Sequence, residues 1–343
     1  MRPRTGRSGR AASRPSTRFF ERFRAELKRY AEGVHELGPP AGAAVIARAE
    51  SRIDRSLPEP FRELLVQWNG ALLFHDEVQI FGVSGARPEL DRLALVDGET
   101  VFGEGPSGPL RFDLRGRVIA LDAETEGRTI EGSDFERWLD ATMAREGLVY
   151  DHEGEFRGDA FAGVELTEKV LRKRAELASR ADPEAPAWQG ELGRLLAEAK
   201  LFRPAADAFE RAVELDPEGS AAWFSLGKLR RELADEAAAC EAFRRAGETD
   251  SEPTEAAFAF AHAARSARAA SLTDEGALLA KRVIEAEASF GANQRAAAEH
   301  LIAEGDFEGA IERLSLALAV APDDAELKGV YSLARARRSL RPL

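Results

Sequence analysis

Cysteine is almost absent from this 343-residue chain, where Cys240 stands alone. A single thiol excludes an internal disulfide framework and any zinc site with more than one thiolate, and it fits a reducing compartment. Its setting, "EAAACEAF", is rich in small residues and points to a buried thiol rather than a nucleophile. No apolar run is long enough to span a bilayer, and the N-terminus lacks the apolar segment of a secretory signal, so the expected location is cytoplasmic.

Histidine is scarce as well. His35, His75, His152, His262 and His300 are the five, and no two share a helical metal-binding spacing. In "FHDEV", His75, Asp76 and Glu77 cannot all face one point, which suggests an exposed polar turn. "DHEGEF" (151–156) reads as a charged connector. The glycine-rich "FGEGPSGPL" (102–110) lacks the Gly-Lys-Ser/Thr that reaches nucleotide phosphates and is expected to be a loop. No serine sits in a nucleophile-elbow pentapeptide. Asp122 with Glu124 and Glu126 forms an acidic group, but with 60 carboxylates such neighbours arise by chance. The expectation is a non-enzymatic protein without metal or cofactor.

Charge is present but uneven. Residues 1–18, "MRPRTGRSGRAASRPSTR", hold six arginines and no acid, while the whole chain carries −12. A basic tail is thus joined to an acidic body. The tail has no core-forming residues and is expected to be disordered, either as a solvated leader or as an electrostatic tether to nucleic acid or anionic lipid. The acidic remainder of the chain argues against nucleic-acid binding.

Residues 19–147 carry mixed signals. Phe19, Phe23, Leu27, Tyr30, Val34 and Leu37 recur at three and four, predicting a helix over 19–37. A second short helix follows with Val45, Ile46 and Ile53. In "SLPEPFRELLVQWNG" (56–70), Ser56 can cap a third helix, Pro58 and Pro60 fit its first turn, and Phe61, Leu64, Leu65 and Trp68 form its buried stripe. Asn69-Gly70 tolerates the left-handed backbone that stops a helix. Strand-like "ALLFHDEVQIFGV" comes next, then a hairpin from 110–114 and 118–121, then a closing helix capped at Ser133 or Asp134. Helices, antiparallel strands and a final helix make an α+β layer.

Leu57-Pro58, Phe61, the apolar helix and Trp68-Asn69-Gly70 before a strand resemble the SUKH superfamily, as does the late hairpin followed by "SDFERWL". The superfamily includes fungal cell-wall-synthesis regulators and bacterial immunity proteins of polymorphic toxin systems. The resemblance implies a non-enzymatic binding module in which Leu57, Pro58, Trp68, Asn69 and Gly70 are a scaffold signature. A basic partner such as a nuclease toxin would suit the acidic domain.

Beyond a linker at 148–164, residues 165–343 repeat internally. Leu192/Leu226, Gly193/Gly227, Ala208/Ala242, Phe209/Phe243 and Ala212/Ala246 each fall 34 apart, and Gly305, Phe307, Ala310, Leu314, Ala317 and Pro322 follow the same design. This resembles the tetratricopeptide repeat, and predicts an all-α solenoid of three and a half to four helix pairs, opened by a half-repeat ending at Asp182-Pro183. The resemblance implies a concave surface on which protein segments lie. Arg194 and Lys228 occupy equivalent positions there, with Arg231 one turn on; Glu299 takes the same place in the last repeat, with Arg295 one turn before. These residues are candidates to hold an acidic tail or terminal carboxylate of a partner, or are a solvated helix face. The asparagines usual in the family's carboxylate-holding pattern are missing. The expected function is an immunity-type or scaffolding protein, the alternative an adaptor that recruits a client through the array.

Overall fold

The computed structural model describes residues 17–83, 92–122 and 127–340. The arginine-rich tail up to residue 16, and Glu124 and Glu126, lie outside them. The chain divides into two compact units, Met1–Trp188 and Gln189–Leu343.

The first unit begins with α1 (Thr17–Leu27), β1 (His35–Leu37), α2 (Ala43–Arg52) and α3 (Glu59–Gln67). The helix expected over 19–37 therefore ends ten residues early. Gly33 turns the chain at φ 94°, and His35–Leu37 instead pair antiparallel with β2 (Ala71–Leu73). Helical spacing at 30, 34 and 37 gave way to strand pairing that only the folded chain supplies. Ser56 does not cap α3: Pro58 holds the N-cap position without a side-chain bond, and Pro60 lies in the first turn.

The rest of the sheet is β3 (Val78–Ile80), β4 (Ala94–Val96), β5 (Glu99–Gly105), β6 (Gly108–Phe112), β7 (Val118–Leu121) and β8 (Arg128–Gly132). The strands run β1-β2-β3-β5-β6-β7-β8, all antiparallel, with β4 also on β5. The glycine-rich 102–110, expected as a loop, is the β5–β6 hairpin. A Cβ on Gly103 would collide with the Gln79 carbonyl, so the glycine marks a close approach of strands rather than a loop. The expected hairpin of β6 and β7 is present, and Asp113 closes its turn by accepting from the Arg115 and Arg117 amides at 2.8 and 2.9 Å. α4 (Phe135–Glu146) follows, capped by Asp134, which accepts from the Arg137 amide at 2.9 Å.

One core joins these elements. Phe61 of α3 meets Phe102, Phe112 and Phe135 at ring-centroid distances of 5.5, 5.2 and 5.2 Å, and Phe102 stacks on Phe112 at 3.9 Å.

After a small hairpin of β9 (Phe161–Ala162) and β10 (Glu165–Leu166), α5 (Glu168–Ala181) packs on α4. The fully buried Asp182 accepts from the Ser133 amide and hydroxyl at 2.6 and 2.8 Å, and Arg174 pairs with the buried Glu146 at 2.7 Å. These bonds tie α5 to α4, and the division between the units accordingly falls at Trp188, not within 148–164.

Four helix pairs then follow: α6 (Pro186–Glu198) with α7 (Phe202–Leu215), α8 (Ser220–Glu232) with α9 (Glu236–Thr249), α10 (Pro253–Ala269) with α11 (Thr273–Ala286), and α12 (Phe290–Glu304) with α13 (Phe307–Val320). α14 (Ala325–Ser339) ends the array. This is a tetratricopeptide-like helical array. Its repeated glycines have a steric reason: a Cβ on Gly193 or Gly227 would lie 2.7 Å from the ring of Phe209 or Phe243. Each first helix ends on a left-handed residue, Lys200, Ala234, Ser271 and Gly305 at φ 59, 60, 63 and 85°. Asp182 and Asp216, 34 apart, end α5 and α7 in nearly one conformation, φ −130° and −134°.

The stacking is regular through α11, then changes. α13, the second helix of its pair, lies against α10 and α11. Leu316 and Ala319 of α13 join the core made by Ala257, Phe260 and Ala264 of α10.

Candidate functional site

The Trp68-Asn69-Gly70 signature is architectural in its geometry. Asn69 is buried, its Oδ1 accepts from the Val83 amide at 2.7 Å, and its own amide donates to the Pro39 carbonyl at 3.0 Å. A Cβ on Gly38 would run into the Asn69 backbone and one on Gly82 into its backbone and Oδ1, so three chain segments cross at this residue. Gly70 takes φ 87°. Trp68 packs on Phe23 of α1 at 5.8 Å, with the Arg24 guanidinium over its ring. Leu57 is buried and donates its amide to Glu50 at 2.9 Å, and Pro58 opens α3.

Two groups of titratable residues in the first unit escaped sequence reasoning. His35 is pushed down to about 4 by burial and by His75, and its Nδ1 accepts from the Phe74 amide at 3.2 Å. On α4, Glu136 is pushed up to about 7 by burial and by Asp134, Glu63 and Asp140, against Arg22. Among the described residues no group of three or more His, Cys, Asp or Glu could hold a metal ion. His75, Asp76 and Glu77 form an exposed turn in which His75 and Asp76 have left-handed backbones. Cys240 is buried, and burial raises its thiol to about 12.

In the array, the five candidate residues part company. Arg194 is held on its own helix by Glu191 and Glu198 at 2.8 and 2.5 Å. Arg295 pairs with Glu299 at 3.9 Å and with Glu326 of α14. Lys228 and Arg231 instead belong to a cluster on the face shared by α8, α10 and α13. Its hub is His262 of α10, only 3% exposed, whose ring stacks on Phe243 and meets Phe224 and Phe258 edge-on. Arg231 and Arg265 both donate to His262 Nδ1, each at 3.1 Å. Arginine is a donor only, so the ring must be neutral with its proton on Nε2. Burial, then Arg231, Lys228 and Arg313, pushes His262 down to about 3.

Arg313 of α13 completes the cluster, lying over the Phe258 ring and donating to Gln294 of α12 at 3.2 Å. Arg265 also donates to Ser315 at 3.1 Å. The carboxylate of the cluster is the exposed Glu312, 4.0 Å from Arg231 and 3.9 Å from Arg265. Sequence spacing missed His262, Arg265, Glu312 and Arg313 because the cluster forms only where α8, α10 and α13 come together. Glu299 and Arg295 sit at the repeat-equivalent positions on α12, which is not the helix placed there.

No family model matches the chain, and no curated protein matches it. Solved structures similar to it include MamA (18% identity over 46% of this chain and 91% of that one, TM-score 0.33). YrrB, described as a TPR protein with an unusual peptide-binding site, is 22% identical over 50% of this chain and 84% of its own, TM-score 0.33. TTC0263, a thermophilic TPR protein of Thermus thermophilus, is 18% identical over 49% of this chain and 91% of its own, TM-score 0.30. Likenesses this distant carry no functional weight, and the helix-pair layout stands on the chain's own helices and their packing.

Proposed function

We propose that the chain is a protein-binding scaffold in which a SUKH-like N-terminal unit and a tetratricopeptide-like array each engage a protein. The observation that carries this reading is the cluster on α8, α10 and α13. Arg194, Arg211 and Arg244 are each paired with a carboxylate on their own helix, while this face sets Arg231 and Arg265 beside the single exposed Glu312, an excess of positive charge that an acidic partner would complement. For the first unit, the support is the crossing at Asn69 within an antiparallel α+β layer, which accounts for the Leu57-Pro58 and Trp68-Asn69-Gly70 signature as scaffold.

Within that reading the first unit is an immunity-type module whose acidic surface covers a basic toxin such as a nuclease. The adaptor reading needs no toxin: the array recruits a client and the first unit reads a second protein. The lone buried thiol suits a cytoplasmic location for either.

The test is capture with the full-length chain, identification of the retained protein, and titration of its activity. A retained nuclease silenced at one-to-one stoichiometry supports immunity. A retained protein whose activity is untouched supports the adaptor. A retained small-molecule substrate turned over by the chain contradicts both.

A further inference from the structure

The cluster around His262 is built differently from the same-helix ion pairs of the array. Arg194, Arg211, Arg244 and Arg245 each reach a carboxylate three or four residues away on the same helix. Such pairs balance charge within one helix. On the α8–α10–α13 face the acceptors are neutral: an imidazole nitrogen for Arg231 and Arg265, an amide oxygen for Arg313 and a hydroxyl for Arg265. Aromatic rings of Phe243 and Phe258 lie under two of the guanidiniums. Lys228, also near His262, is exposed and has no ion pair among the described residues. Among those residues four cations thus meet one carboxylate, on a chain whose net charge is −12.

Neutral acceptors fix the direction of a guanidinium without cancelling its charge. His262 does this for two at once, and its ring cannot swing away because three phenylalanines surround it. Arg231 and Arg265 are therefore aimed and still charged. Their contact with Glu312, at 3.9–4.0 Å, lies beyond hydrogen-bond length, and Glu312 is exposed.

We propose that this face binds a carboxylate side chain of an extended acidic peptide segment, with Arg231 and Arg265 as the gripping pair, Lys228 and Arg313 flanking, and Glu312 as the internal group the ligand displaces. This rests on the reading of the array as a protein-binding surface. Charge-assisted bonds from two oriented guanidiniums match the geometry of one carboxylate. His262 is a positioning residue that touches the arginines rather than the ligand.

The experiment is calorimetric titration of the full-length chain with three peptides blocked as stated. The first is an acetylated and amidated Ser-Asp-Glu-Asp-Ser, the second its Asn/Gln counterpart blocked in the same way, and the third an acetylated Ser-Asn-Gln-Asn-Ser whose only charge is its free C-terminal carboxylate. The first peptide alone is expected to bind. R231Q and R265Q should each weaken it at least tenfold, and E312Q should tighten it several-fold. Because E312Q changes an exposed group, it tests the site even if an arginine variant misfolds. Equal binding of the first two peptides, no heat from the first at millimolar concentration, or binding unmoved by all three substitutions overturns the inference. Binding of the third alone moves the ligand to a chain terminus and overturns the side-chain assignment. If R231Q and R265Q leave capture of a protein partner by the full chain intact, the scaffold reading stands and only this site fails.

Discussion

Asn69 shows what a single residue can hold together. Its Oδ1 is the acceptor for the buried Val83 amide, and Gly38 and Gly82 press against its backbone. Asn69→Ala orphans that amide and opens a gap, and is expected to cost about 2–3 kcal/mol, read as a lower urea midpoint with unchanged slope. His262 is the second residue with a measurable signature. Its folded value of about 3 lies below the usual 6.5, so the unfolded chain takes up the proton first. Stability from this group is therefore full above pH 6.5 and drains as pH falls towards 3. H262N should be less stable than wild type at pH 7, with the difference shrinking as pH falls to 4. A difference that does not change with pH contradicts a neutral buried imidazole. Cys240, raised to about 12 by burial, should resist alkylation at pH 8 until the chain is unfolded.

At the scale of elements, steric rules made much of the fold legible in the sequence. Gly193 and Gly227 recur with Phe209 and Phe243 because each glycine leaves room for a ring, and Gly227→Ala should cost about 1–3 kcal/mol by overpacking. The left-handed position that ends each first helix is filled by glycine only at Gly305. Ala234→Gly should relieve that backbone and raise stability by about 0.5–1 kcal/mol in urea unfolding. Asn69-Gly70 as the joint after a helix was legible too, but not its chemistry: α3 already ends at Gln67, Trp68 is extended at φ −145°, and only Gly70 takes the left-handed backbone. Other elements were not. Tyr30, Val34 and Leu37 keep helical spacing, yet His35–Leu37 form an edge strand because β2 offers them backbone partners. Residues 102–110 look like a loop because glycines fill them, yet they form the β5–β6 hairpin, and Gly103 there lets β5 pass close to the Gln79 carbonyl of β3. In both cases long-range pairing outweighed the local signal.

At the scale of the whole molecule, the sequence exposed an α+β part and a helical array, and the structure shows both. The candidate site was only half legible. Lys228 and Arg231 followed from repeat alignment, because α8 keeps the 34-residue register. Their companions on α10 and α13 did not, since alignment assigns α12 to the place that α13 takes. Among the described residues, no helix is long and apolar enough to cross a membrane. This chain, on the reading proposed above, works by holding protein partners. Amide hydrogen exchange of the full-length chain, with and without a captured partner, tests it most directly. New protection is expected on α8, α10 and α13, lost in the R231Q/R265Q double variant. A captured partner that protects no amide of either the first unit or the array would contradict it.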